Sequence, residues 1–502
     1  MERNVIAYDL GTGGVKTSIY NAKGQELGFA FEAYETYYPQ NGWHEQKPEE
    51  WWNAVVNSTK RLMEESGVAP ETIEALAISG HSLGVIPIGK DGSLLRETTP
   101  IWSDTRATAQ ASRFFEKVSH EKWYYDTGAG FPAHLYSVFK IMWYMDHERE
   151  MYDNTDKFIG TKDYINYKMT GRLCTDYSYA SGSGVYILEK AAYDDTYITT
   201  SGIDGSKLPE IIQSTDIVGE LKEEVAKQLG LCPGVKVAAG GVDNACMALG
   251  AKGIREGRSY TSLGSSAWIA VSSSKPIVDY KIKSYVFAHI IPGMFASATA
   301  IFSAGTSHRW VLDQIVETKG EEKYQIFDDL AKQSPIGSHQ LVFNPSLAGG
   351  SGLDKSPSIR GGFVGIDLKH TKEDMARACL EGISINLRLA LDALKSVSPV
   401  EGEMLIVGGG TKSPLWMQIF ADSYHMPIIA TNVGQGAGSL GAAAIAAVAV
   451  GIWDNFDKID EIHEVIEKKQ PVEENAQQYE KLLPLHKKVS DLLSDLGDYM
   501  EE

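Results

Sequence analysis

One short theme occurs once in each half of the chain. Tyr8-Asp-Leu-Gly-Thr-Gly-Gly14 and Thr261-Ser-Leu-Gly-Ser-Ser-Ala267 both set Leu-Gly-[Thr/Ser] between two strand-like runs. The runs are residues 4–9 and 15–20 in the first copy, 258–263 and 267–271 in the second. A strand that turns on small residues into another strand presents backbone N–H groups at its tip, which is chemistry for a phosphate. Two such hairpins predict two related α/β domains that face a cleft.

The rest of the chain fits that plan. Residues 26–34 read as a third strand after the turn Asn21-Ala-Lys-Gly24, and 48–66 as a helix. Strands follow at 73–78 and 85–88, and an amphipathic helix at 136–147. In the second half, 235–239 is a strand, Gly240-Gly241 a turn, and Val242-Asp243-Asn244 a helix start. Later come a helix at 372–394, a strand at 404–407, the run Gly408-Gly409-Gly410, a helix at 413–423 and a strand at 427–431. The segment 434–441 opens an Ala-rich helix, and the tail from 460 to 502 reads as charged helix. No low-complexity linker is visible, so the expected border, 1–250 against 251–502, is a compact connection.

Composition narrows the partners. The 502 residues carry 47 basic and 66 acidic side chains, a formal net charge of −19. Such a surface repels nucleic-acid backbones and anionic lipid, so an anionic ligand must be held by local N–H groups. The four cysteines, Cys174, Cys232, Cys246 and Cys379, form no CxxC pair and fit neither a disulfide framework nor a zinc site. The most apolar stretch, 437–452, falls short of the ~20 residues that span a bilayer. The start of the chain lacks a signal-peptide pattern. A soluble, cytoplasmic protein is expected.

Two nucleotide motifs fail on inspection. Gly11-Thr-Gly-Gly-Val-Lys16-Thr17 resembles a P-loop, but Val15 stands where glycine must precede lysine, and a strand follows instead of a helix. Gly436-Ala-Gly438-Ser-Leu-Gly441 satisfies GxGxxG, yet no acidic residue closes a second strand ~20 residues on. Asp9 with Gly11, Thr12 and Gly13 reads better as a phosphate-handling hairpin, Asp9 being placed to hold Mg²⁺ through water. The plain alternative is a β-turn capped by aspartate. The second hairpin, Gly264-Ser265-Ser266, favours the functional reading, since two hairpins grip one triphosphate from both sides. Asp243 at a helix mouth is either a cap for free N–H groups or a general base kept ionised by the helix dipole.

Taken together, these segments resemble the FGGY carbohydrate kinases. The resemblance rests on Tyr8–Lys16, Ile101-Trp-Ser-Asp-Thr-Arg106, Lys162-Asp163-Tyr164, Gly240-Gly-Val-Asp-Asn244 and Leu263-Gly-Ser-Ser266. It continues through Arg360-Gly-Gly-Phe-Val-Gly-Ile366, Ala376-Arg-Ala-Cys-Leu-Glu-Gly382, Gly408-Gly-Gly-Thr-Lys-Ser413 and Gly438-Ser-Leu-Gly-Ala-Ala443. The segments stand in the family's order and span nearly the whole chain. The resemblance implies two ribonuclease-H-like domains of the actin/Hsp70/sugar-kinase type around a central cleft, where sugar and ATP meet.

By the same resemblance Asp243 is the catalytic aspartate and Asp9 the metal-side carboxylate. Gly11, Thr12, Gly13 and Lys16 serve the cofactor from the first domain, and Gly264, Ser265 and Ser266 from the second. Gly408, Gly409, Gly410 and Ser413 line the adenosine side. His81, Ser82, Trp102, Asp104, Arg106, Asp243 and Asn244 are the candidates for the acceptor. Here the sequence departs from its relatives. Ser79-Gly-His-Ser-Leu83-Gly84 has Leu83 where xylulokinases have His and glycerol kinases Glu, so neither substrate follows automatically. His81 is read either as a sugar contact or as a satisfied core histidine. Trp102, Asp104 and Arg106 are read either as a polyol surface or as a core tryptophan beside an ion pair. The implied reaction is phosphoryl transfer from Mg·ATP to a small sugar or polyol, a ketopentose such as xylulose first, with L-xylulose, erythritol-type polyols and gluconate as alternatives. A homodimer is implied only because family members are often dimers. Two other classes stay open: an ATP-binding module without a sugar, like the actin and Hsp70 relatives, and an NAD oxidoreductase built on the Gly436 loop.

Overall fold

A computed structural model describes residues 2–400 and 402–501. Glu502, the last residue of the helical tail expected from the sequence, lies outside them, as do Met1 and Glu401. In chain order the first half runs β1 (Asn4–Leu10), β2 (Gly14–Asn21), β3 (Glu26–Ala33), α1 (Pro48–Ser66), β4 (Ile73–Gly80), β5 (Ile86–Gly89), α2 (Ser137–His147), β6 (Thr155–Ile159), α3 (Thr161–Thr170), β7 (Ile217–Glu220), β8 (Lys236–Ala238), β9 (Gly241–Val242) and α4 (Asp243–Gly250), with shorter helices between. The second half runs β10 (Ser259–Leu263), β11 (Ala267–Ser273), β12 (Tyr285–Ala288), β13 (Phe295–Ile301), α5 (Gly305–Trp310), α6 (Lys323–Ala331), α7 (Lys372–Lys395), β14 (Met404–Gly408), α8 (Pro414–Tyr424), β15 (Ile428–Thr431), α9 (Ala437–Ala449), β16 (Val465–Lys469) and α10 (Glu473–Glu501).

The two halves repeat one topology. The first sheet is ordered β3-β2-β1-β4-β8-β7, and the second contains β13-β11-β10-β14-β15-β16. In each, the first strand pairs antiparallel with the second and parallel with the fourth of its set. In each, the last strand of the path returns antiparallel. The hairpins close at Leu10↔Val15 and Leu263↔Ala267, so the doubled sequence theme marks equivalent corners of two mixed sheets.

Local sequence explains the main helices. α1 starts with proline in its first turn beside Glu49 and Glu50, and ends at Gly67 in the left-handed region (φ 65°). Its buried face includes Trp51, Trp52, Val55 and Leu62, which pack on the first sheet. α7 is opened by a capping box between Thr371 and Asp374, with the Thr371 N–H donating to the Asp374 carboxylate at 3.0 Å. α9 is buried on every side through most of its length, because Ala and Gly leave room for neighbours all round.

Those small residues answer the Gly436 motif. A Cβ at Gly441 would lie 2.0 Å from the Cys246 carbonyl oxygen, and one at Gly250 would lie 1.9 Å from that of Ala437. The glycines let α4 and α9 cross backbone against backbone, and the apolar faces of both helices join one core cluster. They serve helix packing, and the dinucleotide reading loses its basis.

The tail differs from the expectation of continuous helix. Residues 465–469 form β16, which pairs antiparallel with β15, and the long helix α10 starts only at Glu473. Val465 and Ile466 are exposed, so this edge strand lacks the buried face that marks a strand in sequence. Among the described residues no helix is long and apolar enough to cross a membrane.

Candidate active site

Asp9 is the penultimate residue of β1. It accepts a hydrogen bond from Ser79 Oγ at 3.0 Å and sits opposite Lys16 in the β1–β2 register. A Cβ on Gly438 would come within 2.8 Å of the Asp9 carboxylate, so the N-terminal turn of α9 rests directly on that group. The helix end favours the negative charge. Burial raises the Asp9 pKa, and Ser79 and Lys16 oppose the rise. Lys16 Nζ itself pairs with Glu26 at 3.0 Å.

The turn beyond Asp9 is fixed from outside. Gly11 N–H donates to the Gly14 carbonyl at 3.0 Å, and Gln46 Nε2 donates to the Thr12 carbonyl at 2.7 Å. Tyr34 donates its hydroxyl to the Gly11 carbonyl. Trp102, 37% exposed, donates its indole N–H to Thr12 Oγ1 at 2.9 Å. Gly13 completes the turn and is exposed.

Asp243 is the first residue of α4 and is half-buried. Its Oδ1 accepts from the backbone N–H of Asn244 at 2.8 Å and from Asn244 Nδ2 at 2.9 Å. Burial pushes its pKa up to about 7, and the charge of Asp9 pushes the same way against the Asn244 hydrogen bonds. A carboxyl group poised there exchanges a proton readily near neutral pH.

The strand β9, which leads into Asp243, is held by a buried polar chain. Val242 N–H donates to Ser178 Oγ at 2.9 Å, and Ser178 Oγ donates to Asp176 at 2.5 Å. Asp176 also pairs with Lys162 at 3.0 Å. Lys162 and Asn166 both donate to the Ala239 carbonyl, at 3.1 and 2.9 Å. Burial works against the Lys162 charge, but Asp163 and Asp176 outweigh it and raise the pKa. Lys162 and Asp163 were visible as a motif; Asp176 and Ser178 were not, having no local signal in the sequence.

The acceptor candidates divide into two groups. His81 follows β4, and its backbone N–H donates to the Leu10 carbonyl at 3.0 Å. Its ring is buried, edge-on to Trp51 at 5.4 Å, and neither ring nitrogen has a hydrogen-bond partner among the described residues. Burial, helped by the Lys140 charge, lowers its pKa to about 3, so the ring is neutral. A satisfied core histidine would have hydrogen-bond partners, and this ring has none among the described residues. Ser82 is buried beside it. Asp104 and Arg106 instead hold each other. Asp104 accepts from Arg106 Nε at 2.8 Å, from Arg106 Nη2 at 2.7 Å and from the His44 N–H at 2.7 Å. Arg106 also pairs with Glu45 at 2.6 Å and lies 3.9 Å over the Trp43 ring. Both side chains of the pair are buried.

Across the cleft, the second hairpin docks on α5. The Gly264 carbonyl accepts from Gly305 N–H at 3.0 Å, and the Ser265 carbonyl accepts from Ala304 and Thr306 at 2.9 and 3.1 Å. Beside it lies a cavity of about 450 Å³ whose lining includes Gly264, Ser265, Gly409, Gly410 and Ser413. Five residues singled out for the nucleotide thus meet around one space. Ser266 and Gly408 lie outside the lining. Gly408 has a φ of 108°, and a Cβ there would lie 2.4 Å from the Leu263 carbonyl oxygen, so its role is close approach of β14 to β10. Ser413 caps α8 by accepting from Trp416 N–H at 3.0 Å and donates to Asp328 at 2.5 Å. Tyr324, Gln325 and Asp328 of α6 complete that wall and carried no motif.

The comparisons with known proteins agree over the whole length. The N-terminal domain of the FGGY family of carbohydrate kinases matches residues 4–250, and the C-terminal domain of the same family matches residues 259–450. A xylulose kinase of Bacillus subtilis is 30% identical over 497 residues, covering 98% of each chain. A gluconokinase of the same organism is 27% identical over 516 residues, covering 99% of this chain and 98% of its own. Among solved structures, a gluconate kinase from Lactobacillus acidophilus superposes with a TM-score of 0.90 at 26% identity, covering 98% of this chain and 99% of its own. A ligand-bound xylulose kinase from that organism does so with a TM-score of 0.90 at 26% identity, covering 98% of both. Repeated topology, paired hairpins and these matches lead to one conclusion: the chain belongs to the FGGY family of carbohydrate kinases.

Proposed function

We propose that the protein transfers the γ-phosphoryl group of Mg·ATP to a hydroxyl of a ketopentose such as xylulose, with gluconate as the alternative acceptor. The observation that carries the reading is the position of Asp243, a carboxyl group with a pKa of about 7 at the head of α4, in the electrostatic field of Asp9. The acceptor oxygen attacks the γ-phosphorus in line, its proton passes to the Asp243 carboxylate, and the bond from phosphorus to the β–γ bridging oxygen breaks to release ADP. Asn244 orients the carboxylate through its two hydrogen bonds.

The hairpins at Gly11-Thr12-Gly13 and Gly264-Ser265-Ser266 take the phosphates from opposite sides, with Lys16 behind the first. The purine side is the cavity walled by Gly409, Gly410 and Ser413. Among the described residues no group of three or more His, Cys, Asp or Glu side chains suits a metal ion. One carboxylate, Asp9, together with phosphate oxygens is the donor set Mg²⁺ takes when it travels with a nucleotide. When bound, the ion neutralises charge on the transferring group.

His81, Ser82 and Trp102 face the acceptor in this reading, and the buried Asp104–Arg106 pair fixes the segment that follows Trp102 through His44 and Glu45. The border between the halves falls at 250/251, and closure of the second half over the first excludes water.

The test is ADP release from Mg·ATP with a panel of D-xylulose, L-xylulose, gluconate, erythritol and glycerol, beside an Asp243→Ala control. Stimulation by D-xylulose that is lost in the control is the expected result. Stimulation by gluconate alone moves the assignment to the alternative, and none by any compound removes it.

A further inference from the structure

Lys140 stands out as a buried cation that no part of the reaction uses. It projects from α2, is fully buried, and forms no ion pair among the described residues. Its ammonium donates to two backbone carbonyls, that of Leu83 at 3.0 Å and that of Ile101 at 2.7 Å. Burying an ammonium without a carboxylate is costly, and a methionine would fill the same space without that cost. Burial lowers the Lys140 pKa to about 7; Asp104 opposes the fall and Arg106 adds to it.

The two carbonyls belong to separate segments. Leu83 ends the turn His81-Ser82-Leu83 after β4, and Ile101 immediately precedes Trp102. Leu83 is also held in the left-handed region, with φ of 61°, a strained conformation for a residue with a branched side chain. Such strain persists only where neighbours over-determine it. The His81 carbonyl is taken by Thr161 Oγ1 at 2.7 Å and by the Tyr179 hydroxyl at 3.2 Å, and the Gly84 N–H donates to that same hydroxyl at 3.2 Å. Lys140 holds the Leu83 carbonyl, and its two hydrogen bonds reach both segments.

We propose that Lys140 is a positioning residue for the acceptor: its ammonium ties the strained His81–Leu83 turn to the Ile101–Trp102 segment and so sets His81 and Trp102 at the spacing the sugar requires. The proposal rests on the reading that these two segments hold the acceptor, and its test separates the two claims.

The first measurement needs no substrate. Hydrogen exchange is compared between the full-length protein and its Lys140→Met variant, followed in peptides covering residues 79–84 and 101–106. Exchange at the amides of Gly84 and Asp104 is expected to rise at least tenfold, with the Gly264–Ser266 hairpin unchanged. Unchanged exchange in the two peptides, or a rise spread over both domains, overturns the tie whether or not the protein is a kinase. The second measurement uses whichever sugar of the panel the wild type phosphorylates. The variant is expected to raise the acceptor KM about tenfold while the ATP KM stays within twofold, and Lys140→Arg, which still donates to two carbonyls, is expected to keep most of the acceptor affinity. Equal loss in the Met and Arg variants, with the ATP KM rising alike, makes Lys140 a packing residue and overturns the proposal. Should Lys140→Met not fold, Lys140→Gln, which retains one donor group, takes its place in both measurements with the same criteria.

Discussion

Trp102 donates its indole N–H to Thr12 Oγ1 at 2.9 Å, joining the segment proposed to face the acceptor to the turn proposed to face the phosphates. The bond crosses 90 residues of chain and is made at a side chain that is still 37% exposed. Replacing Trp102 by Phe keeps most of the ring and removes the donor. A neutral hydrogen bond contributes about 1 kcal/mol, so kcat/KM for the acceptor is expected to fall about fivefold, with little change in melting temperature. Steady-state kinetics with each substrate varied in turn checks this; an unchanged kcat/KM would free Thr12 from any link to the acceptor.

Asp243 carries the pH prediction. Its folded pKa of about 7 lies above that of an unfolded aspartate, so the native state binds the proton more tightly. Two consequences have opposite signs. As a base it works only when deprotonated, so kcat/KM is expected to fall tenfold per unit below about pH 7. The folded state, in contrast, loses stability as pH rises from the unfolded pKa through 7. Asp243→Asn is therefore expected to lower turnover by about 10²–10⁴ yet to melt some 2–5 °C higher than wild type at pH 8, with the difference gone at pH 4. A variant less stable than wild type at pH 8 would contradict the assigned shift.

Ser413 links a helix cap to the nucleotide cavity. Ser413→Ala removes both the cap on Trp416 N–H and the donor to Asp328. Loss of a cap costs about 1 kcal/mol, and Asp328 is left with one fewer hydrogen bond beside the cavity. A raised KM for ATP, with the acceptor KM unmoved, is the expected kinetic signature. Equal movement of both constants would detach this cavity from the nucleotide.

Gly441 tests the helix crossing. A methyl group there meets the Cys246 carbonyl at 2.0 Å, and backbone on both sides leaves nothing flexible to yield. Gly441→Ala is expected to destabilise the fold by about 2–3 kcal/mol, the range for overpacked cores, measured by urea unfolding. A neutral result would mean that α4 and α9 separate freely.

What the sequence disclosed followed the range of the interactions. The hairpins at Gly11 and Gly264 were legible because turn glycines and alternating strands are local signals, and α1 announced both its ends through Pro48 and Gly67. β16 was not legible, because Val465 and Ile466 lie exposed on an edge strand among charged residues. Asp328 and Lys140 acquire their surroundings only when distant segments meet: Asp328 lies 85 residues from Ser413, and Lys140 lies 57 residues from Leu83. His81 was ambiguous for the same reason. Its burial resembles that of any core histidine, and only the absence of partners for both ring nitrogens among the described residues sets it apart.

The crossing of α4 and α9 has a mechanical consequence. Asp243 heads one helix, and Asp9 lies under the head of the other at Gly438. The backbones touch a turn or less beyond, at Cys246 and Gly441. In the closure proposed above, that contact is placed to act as an axle. Points near an axle hardly travel when the two sides swing, whereas rims far from it sweep widely. In the proposed closure the two carboxylates are therefore expected to keep their mutual geometry, while the outer walls proposed for the nucleotide and the sugar do the travelling.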